Sequence, residues 1–198
     1  GNEKDKERVM SVEILSQEGN ELTLQVKVNI SGSMLEAEEQ IQRLCNEVGV
    51  LSTKKALERF DTDGSSIAVG GHRYTAKGKS NKTYETPYGD VILARYVYQS
   101  SSGGKVYVPL ELCARIIHGA TPKFSKMLSH KYAAMSGEDV LLDLSQNHGR
   151  EISKNYLQLV SEAVAAIVDE KLTVWEYGLS EQKDSKITTI AISMDGAM

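Results

Sequence analysis

The sequence predicts an α+β fold, because strand patterns and helix patterns occupy separate stretches of the chain. Two early runs alternate strictly between apolar and polar residues, and later alternating runs are separated by glycine-containing turns. From about residue 110 the apolar spacing becomes helical, and Ser, Thr and Pro stand where helices would begin. We therefore expect an N-terminal β-hairpin with helices, an antiparallel β-meander, a helix-turn-helix-like bundle and a final isolated strand.

The N-terminal segment, residues 1–65, is predicted to hold the hairpin and two helices. Apolar residues at even positions on both sides of a turn at Gly19 indicate a half-buried antiparallel hairpin. Ser33 has a glutamate three positions later, which is the pattern of a capping box at the start of a helix. Gly49 is predicted to end that helix, and a shorter helix is predicted over residues 52–60.

The second segment, residues 66–109, is predicted to be a basic meander of three or four strands. Residues 72–82 read HRYTAKGKSNK and are predicted to form a loop between the first two strands. A loop with several cations and no acid can follow a phosphate backbone, although a solubilising loop is the alternative. Its basic residues are Arg73, Lys77, Lys79 and Lys82.

The third segment, residues 110–172, is predicted to be helical. We expect a short helix over residues 110–118 that is stopped by Gly119, and a second helix opened by Thr121 and a proline. Ser136 and Ser153 are predicted to cap two further helices. The second of these four helices carries the candidate phosphate-binding residues Lys123, Lys126 and Lys131.

The last two of these helices, with a short glycine-containing turn between them, are typical of a helix-turn-helix. An ordinary αα-hairpin has the same sequence pattern and is the alternative. In the DNA-binding version, the first residues of the second helix reach base edges. The candidates for base readout are therefore Lys154, Asn155 and Gln158.

The final segment, residues 173–198, is predicted to be an irregular linker followed by a strand. Trp175 lies in the predicted linker, and the strand delivers Asp195 onto a glycine turn. Enzymes that transfer phosphoryl groups often place a metal-binding carboxylate at the tip of a strand. One carboxylate does not make an active site, so Asp195 alone predicts no metal centre and no catalysis.

Composition narrows the classes of protein to which this chain can belong. The 198 residues are 40% hydrophobic and 25% charged, which is typical of a globular protein. No apolar run approaches the roughly 18 residues of a membrane span, so we expect a cytoplasmic protein without a membrane partner. Cys45 and Cys113 lack metal-ligand spacing and are predicted to be buried thiols. The common hydrolase, nucleotide and zinc-protease motifs are missing, and no small-molecule substrate is predicted.

Charge is distributed unevenly along the chain. Residues 66–135 carry 10 basic and 3 acidic side chains, whereas both flanking segments are acidic and the whole chain has a net charge of −4. A local positive field can attract a polyanion even when the whole molecule is acidic. The alternative is a solvated basic face that balances the acidic segments of the same protein.

Several motifs follow one another in a recognisable order. They are GGHRYTAKGKS at 70–80, TYETPYGDVILARYVY at 83–98, VPLEL at 108–112, IS at 152–153 and IAISMDG at 190–196. Together they resemble the N-terminal region of bacterial insertion-sequence transposases of the DDE class, closest to the Kra-type group. Residues 1–65 resemble no family that we can name.

The resemblance implies a DNA-binding front end ahead of an RNase H-like catalytic domain. In that family the aspartate of the Asp-Gly motif is the first of three carboxylates that bind magnesium, and by position it is Asp195 here. The resemblance places the other carboxylates beyond Met198, so magnesium is expected only for a complete catalytic domain. We expect no cofactor and no catalysis from this chain itself.

The first hypothesis is therefore a module that binds double-stranded DNA at the ends of an insertion element. The lysines and Arg73 would supply affinity for phosphates, and Lys154, Asn155 and Gln158 would supply specificity. A second hypothesis is an oligomerisation or regulatory remnant that pairs with itself as a homodimer or with an intact transposase. The amphipathic helix from Ser33 and the acidic first third would then form the interaction surface.

Overall fold

The computed structural model describes residues 12–100 and 103–177, with side chains described as far as residue 171. The fold is α+β, with a two-stranded hairpin, a separate three-stranded antiparallel sheet and five helices over these residues. Residues up to Ala165 belong to one compact unit, and the chain from Ala166 onward belongs to a second. The predicted segment boundaries at 65, 109 and 172 stay predictions.

The N-terminal hairpin forms as predicted. Strand β1 spans Val12–Glu18 and strand β2 spans Glu21–Val26, with Gly19 at a positive φ of 58° in the turn. Such a backbone angle is favourable for glycine, which has no Cβ to clash with the chain. The expected half-buried face is confirmed in part: Val12 is buried and Leu22 and Leu24 are partly buried, whereas Ile14 and Val26 are exposed.

Helix α1 spans Met34–Glu58 as one continuous helix, so the two predicted helices are in fact one. The capping box at its start is confirmed: the Ser33 hydroxyl accepts from the backbone N–H of Glu36, whose carboxylate accepts from the backbone N–H of Ser33 at 2.7 Å. Gly49 does not end the helix. A Cβ at Gly49 would come within 2.7 Å of the Tyr88 Cβ, so this glycine permits close packing against the sheet.

The three-stranded sheet confirms the predicted meander but not its loop. Strand β3 spans Ile67–Val69, β4 spans His72–Glu85 and β5 spans Asp90–Ser100, in the order β3-β4-β5. Residues 72–82 lie inside β4, where backbone pairing with both neighbouring strands orders them. Their polar composition predicted a loop. They form a strand instead because they pair with residues elsewhere in the sequence, and composition does not reveal these partners.

Four helices follow the sheet. Helix α2 spans Pro109–Cys113, α3 spans Pro122–Ala134, α4 spans Gly137–His148 and α5 spans Lys154–Tyr177. Helix α2 is shorter than predicted, since Arg115 and His118 have positive φ angles of 54° and 49°, which cannot continue a right-handed helix. Helix α5 is longer than predicted and includes Trp175, which was expected in an irregular linker.

The described residues pack into two hydrophobic clusters. One joins α3, α4 and α5 through buried residues that include Phe124, Leu144 and Leu157. The other joins the sheet to α1 and α2 through Tyr84, Leu93 and neighbouring side chains. Helices therefore cover one face of the β4–β5 pair, while on the opposite face Tyr98 is buried and Ile92 and Ala94 are exposed.

Three further expectations concern residues or properties outside these clusters. The final strand, including Asp195, lies outside the described residues. Cys45 and Cys113 are exposed, so the expectation of buried thiols is wrong. Among the described residues, none of the helices combines the length and the apolar character that crossing a membrane requires.

Candidate nucleic-acid interface

Strand β4 carries four of the basic residues that the sequence singled out, and their side chains are exposed. They are Arg73, Lys77, Lys79 and Lys82. The strand has one edge paired with β5 along its length, while β3 pairs with the other edge only from His72 to Tyr74. The register between β4 and β5 shifts between Ala76 and Lys79, so the first two lysines lie at or beside a β-bulge.

The first turns of α3 lie next to the same strand. The backbone N–H of Glu85 donates to the Gly119 carbonyl at 2.8 Å, and the Thr121 N–H donates to the Glu85 carbonyl at 2.9 Å. These bonds place the residues just before α3 against the end of β4. Exposed Lys123 and Lys126 follow within the first two turns of the helix. The structure thereby places the cations of α3 near the Glu85 end of β4, the end that carries Lys82.

Two of the predicted phosphate-binding lysines are already engaged with acids. The Lys131 ammonium lies 2.5 Å from an Asp143 carboxylate oxygen, and this hydrogen bond lowers the pKa of Asp143. The Lys79 ammonium is more loosely held, at 3.9 Å from Asp61 and 4.8 Å from the centre of the Tyr96 ring. A lysine with a nearby carboxylate gives less free charge to an incoming phosphate, so Lys131 is the weaker candidate.

The predicted readout residues at the start of α5 are also exposed, but two of them have acidic partners. Lys154 donates to Glu138 of α4, which raises the pKa of the lysine and lowers that of the glutamate. The Gln158 amide donates to Glu162 at 2.7 Å. Asn155 is exposed on the same turn. The start of α5 is therefore less positive than its sequence suggests.

A buried arginine that sequence reasoning missed joins the helical region to the sheet. Arg150 follows α4 and is 7% exposed, and its Nη2 donates to both Glu85 and Asp90, the latter at 2.6 Å. Its guanidinium carbon also lies 5.4 Å from the centre of the Phe124 ring. Burial, with Asp90 close by, raises the pKa of Glu85 despite the arginine. Nothing in the periodicity of the sequence points to this contact across 65 residues.

A second polar cluster lies where the sheet meets α2. Arg95 donates from Nε to the Tyr84 hydroxyl at 3.1 Å and from Nη1 to the Ser80 carbonyl at 2.8 Å. The Tyr84 hydroxyl donates to Glu111 at 2.9 Å, and burial raises the pKa of that tyrosine above its usual value. Arg95 is therefore held inside the fold, even though its charge counted toward the basic segment.

The solvent-facing side of the β4–β5 pair presents a small mixed patch. Asn81 pairs with Ala94 and Thr83 pairs with Ile92 in the register, so all four side chains lie on the face opposite the helices. All four are exposed, and Ile92 is 59% exposed. Among the described residues, the sheet is two strands wide between the short β3 pairing and the contact at Glu85. We refer to these four residues as the ribbon patch.

The described residues hold no group of three His, Cys, Asp or Glu side chains arranged to bind a metal ion. Asp195, the residue assigned to magnesium by resemblance, lies outside them. No protein-family model matches this sequence, and no curated protein shows a significant match to it.

Proposed function

We propose that this chain binds double-stranded DNA through the basic region formed by β4 and the start of α3. By the resemblance of its motifs, we propose further that it is the DNA-binding portion of a DDE-class transposase that recognises the ends of its element. The observation that carries the first proposal is a concentration of exposed cations that have no carboxylate partner in the part of the chain that the structure describes.

Seven of the ten basic residues between 66 and 135 have no ion-pair partner among the described residues. The seven are Arg73, Lys77, Lys82, Lys105, Arg115, Lys123 and Lys126. The exceptions are Lys79, Arg95 and Lys131. Exposed lysines that are free of carboxylates can displace the counterions condensed on DNA, which is the main source of sequence-independent affinity.

The acids of the same segment do not offset this charge. Glu85 and Asp90 both accept from Arg150, which belongs to the acidic part of the sequence, and Glu111 accepts from Arg95. All three acids are thus bound to arginines and lie at the junctions between the sheet and the helices. The exposed lysines therefore keep an uncompensated positive field, and this favours a polyanion over a merely solvated face.

The direct test is fluorescence anisotropy with a labelled duplex at several salt concentrations. We expect the logarithm of the association constant to fall linearly with that of the salt concentration, with a slope of about −4 if four lysines each contact a phosphate. A variant with alanine in place of four cations should lose most of the affinity. The four are Lys77, Lys82, Lys123 and Lys126.

A matched control removes the same number of charges from the acidic first third. Its substitutions replace Lys27, Arg43, Lys54 and Arg59 by alanine, and none of these has an ion-pair partner among the described residues. This control should bind like the original protein. Absence of binding at low salt, a flat salt response or an equal loss in the control would contradict the proposal.

The transposase assignment has a separate readout. Duplexes that contain the inverted repeats flanking the gene should bind more tightly than shuffled duplexes of the same composition and length. Equal binding to both kinds of duplex would contradict the assignment to an element's ends, but it would not contradict DNA binding itself.

A second candidate function is supported by the exposed apolar residues at the start of α1. Ile30, Met34 and Leu35 are 72%, 71% and 66% exposed. Apolar residues this exposed and this close in sequence are typical of a surface that another chain covers. Self-association or pairing with an intact transposase would then be the role of the N-terminal third. Sedimentation over a range of concentrations tests it, and a monomer unaffected by the intact enzyme would contradict it.

A further inference from the structure

The ribbon patch has the shape and the chemistry of a surface that reads bases in the major groove of DNA. Asn81, Thr83, Ile92 and Ala94 project from two adjacent antiparallel strands and are exposed, although Ala94 also lines a pocket with Lys54 and Glu58 of α1. The major groove of B-form DNA is about 12 Å wide and admits either an α-helix or a two-stranded ribbon. In the part of the chain that the structure describes, the sheet is two strands wide at the patch, which satisfies this geometric condition.

The side chains of the patch differ in what they recognise. An asparagine amide can accept from the N6 amino group of adenine with its oxygen and donate to N7 with its nitrogen, and adenine presents this donor and acceptor pair in the major groove. An apolar side chain contacts the methyl group of thymine, and Ile92 is 59% exposed on the same face. Ala94, opposite Asn81 in the register, is small enough to let the backbone approach the base edges.

Positioning charges lie beside the patch. Lys79 lies two residues before Asn81 and therefore on the same face, where its ammonium is 3.9 Å from Asp61, whereas Lys82 pairs in the register with Leu93 of the covered face. Lys77 lies at the bulge further along the same strand. Cations on either side of a readout surface contact phosphates and fix its register on the duplex, while the surface itself supplies sequence information.

The start of α5 offers a poorer readout surface. Lys154 donates to Glu138 and Gln158 donates to Glu162, so base contacts would first have to displace these carboxylates. The Asn81 amide has no carboxylate partner among the described residues, although Glu58 and Asp61 line a pocket together with its register partner Ala94. The contrast between the two surfaces assigns readout to the sheet.

We propose that the ribbon patch determines sequence specificity by reading A·T base pairs in the major groove, with Asn81 on adenine and Ile92 on a thymine methyl. This rests on the proposed function, because a readout surface requires that the chain binds duplex DNA. According to this proposal, the β4–β5 hairpin determines sequence specificity in place of the helix-turn-helix-like pair, and the recognised DNA site contains A·T base pairs.

The test is selection from a pool of random-sequence duplexes, followed by sequencing of the bound fraction. The original protein should enrich a motif with at least one A·T pair. Asn81→Ala should lose discrimination at one position of that motif by about tenfold and leave the salt slope unchanged, because a bidentate base contact carries about this much selectivity. Ile92→Ala should weaken the preference at a neighbouring thymine.

Asn155→Ala is the matched control, because it makes the same substitution at an exposed asparagine on α5. The control should select the same motif as the original protein. Circular dichroism of each variant checks that an altered selection does not come from unfolding.

The outcomes separate this inference from the proposed function. Loss of the motif in Asn155→Ala with retention in Asn81→Ala would assign readout to α5 and overturn the inference. Equal binding of the original protein to all duplexes would also overturn it, while DNA binding would stand. Failure of the original protein to bind any duplex at low salt would reject the proposed function, and this inference with it.

Discussion

Arg150 Nη2 lies 2.6 Å from a carboxylate oxygen of Asp90 and also donates to Glu85, so one guanidinium holds both strand ends that flank the β4–β5 turn. The arginine comes from the residues that follow α4, and its side chain is 8% exposed. It links the helical cluster to the sheet and neutralises two of the three acids of the basic segment. Both the stability of this junction and the charge of the interface depend on it.

The first prediction concerns this junction. Arg150→Met should lower the free energy of unfolding by about 3 kcal/mol, because it leaves two carboxylates without their partner where Glu85 is largely buried. The value is at the low end for a buried pair, since Asp90 is 53% exposed and retains water. Urea unfolding monitored by circular dichroism measures the change.

Lys154→Met is the control for this prediction, because the Lys154–Glu138 pair lies on the surface with side chains that are 55% and 70% exposed. Its effect should be far smaller than that of Arg150→Met. Equal effects of the two substitutions would show that the buried junction has no special importance for stability.

The second prediction concerns the pH dependence of stability. Burial raises the pKa of Glu85 from the ordinary value of 4.5, so the folded state binds this proton more tightly than the unfolded state does. The contribution of Glu85 to the free energy of unfolding is therefore fully present below its ordinary pKa, and it falls as the pH rises through the raised pKa of the folded state. The stability of the original protein relative to Glu85→Gln should decrease as the pH rises from the ordinary pKa of 4.5 through the raised pKa of Glu85.

Asp143 provides an internal contrast with the opposite sign. Hydrogen bonds from Lys131 and Asn147 lower the pKa of Asp143 from its ordinary value of 3.8, so its contribution is present above that value. Its contribution is lost as the pH falls through the lowered pKa. The stability of the original protein relative to Asp143→Asn should thus decrease toward acid. Parallel pH profiles for the two variants would contradict the assignment.

The third prediction concerns the glycine inside α1. Gly49→Ala should destabilise the protein by about 1–3 kcal/mol, because the new methyl group would overlap the base of the Tyr88 side chain. In a Tyr88→Gly background, which also removes the Tyr88 Cβ, the same substitution should instead stabilise by about 1 kcal/mol, since alanine favours a helix over glycine. A double-mutant cycle of unfolding free energies measures this reversal of sign. A destabilisation that persists without the tyrosine ring would locate the strain in the helix itself.

The fourth prediction separates free lysines from paired ones. Lys82→Ala should reduce the magnitude of the salt slope for duplex binding by about 0.9, which corresponds to one lost phosphate contact. Lys131→Ala should leave the slope nearly unchanged, because the Lys131 ammonium is already bound to Asp143 at 2.5 Å. Fluorescence anisotropy over a series of salt concentrations measures both slopes. Equal reductions would indicate that the ion pair opens on binding.

The sequence predicted those parts of the fold that depend on neighbouring residues. Ser33 and Ser136 cap their helices through side-chain hydrogen bonds, and Gly149 ends α4 in the left-handed conformation. The alternation around Gly19 identified the hairpin. Such signals are local, because a cap or a tight turn is formed by residues within a few positions of each other.

The predictions from sequence are wrong where contacts between residues that are distant in sequence determine the local structure. A basic stretch that composition assigns to a loop becomes the longest strand, because β5 pairs along it from Tyr74 to Glu85. Gly49 remains inside a helix because helical hydrogen bonds continue past it, and its missing side chain accommodates Tyr88. The local sequence pattern identifies neither β5 as the pairing partner of β4 nor Tyr88 as the residue packed against Gly49.

The candidate site, like the fold, depends partly on local sequence and partly on contacts between distant residues. The α+β class, the capped helices and the excess of positive charge between residues 66 and 135 follow from the sequence alone. The folded structure determines which of those charges stay free, because Lys131 and Arg95 contact carboxylates that are not their neighbours in sequence. It also determines which parts of the β4–β5 pair remain exposed. Composition records the number of charges, but electrostatic interaction depends on distance and burial, and both arise when the chain folds.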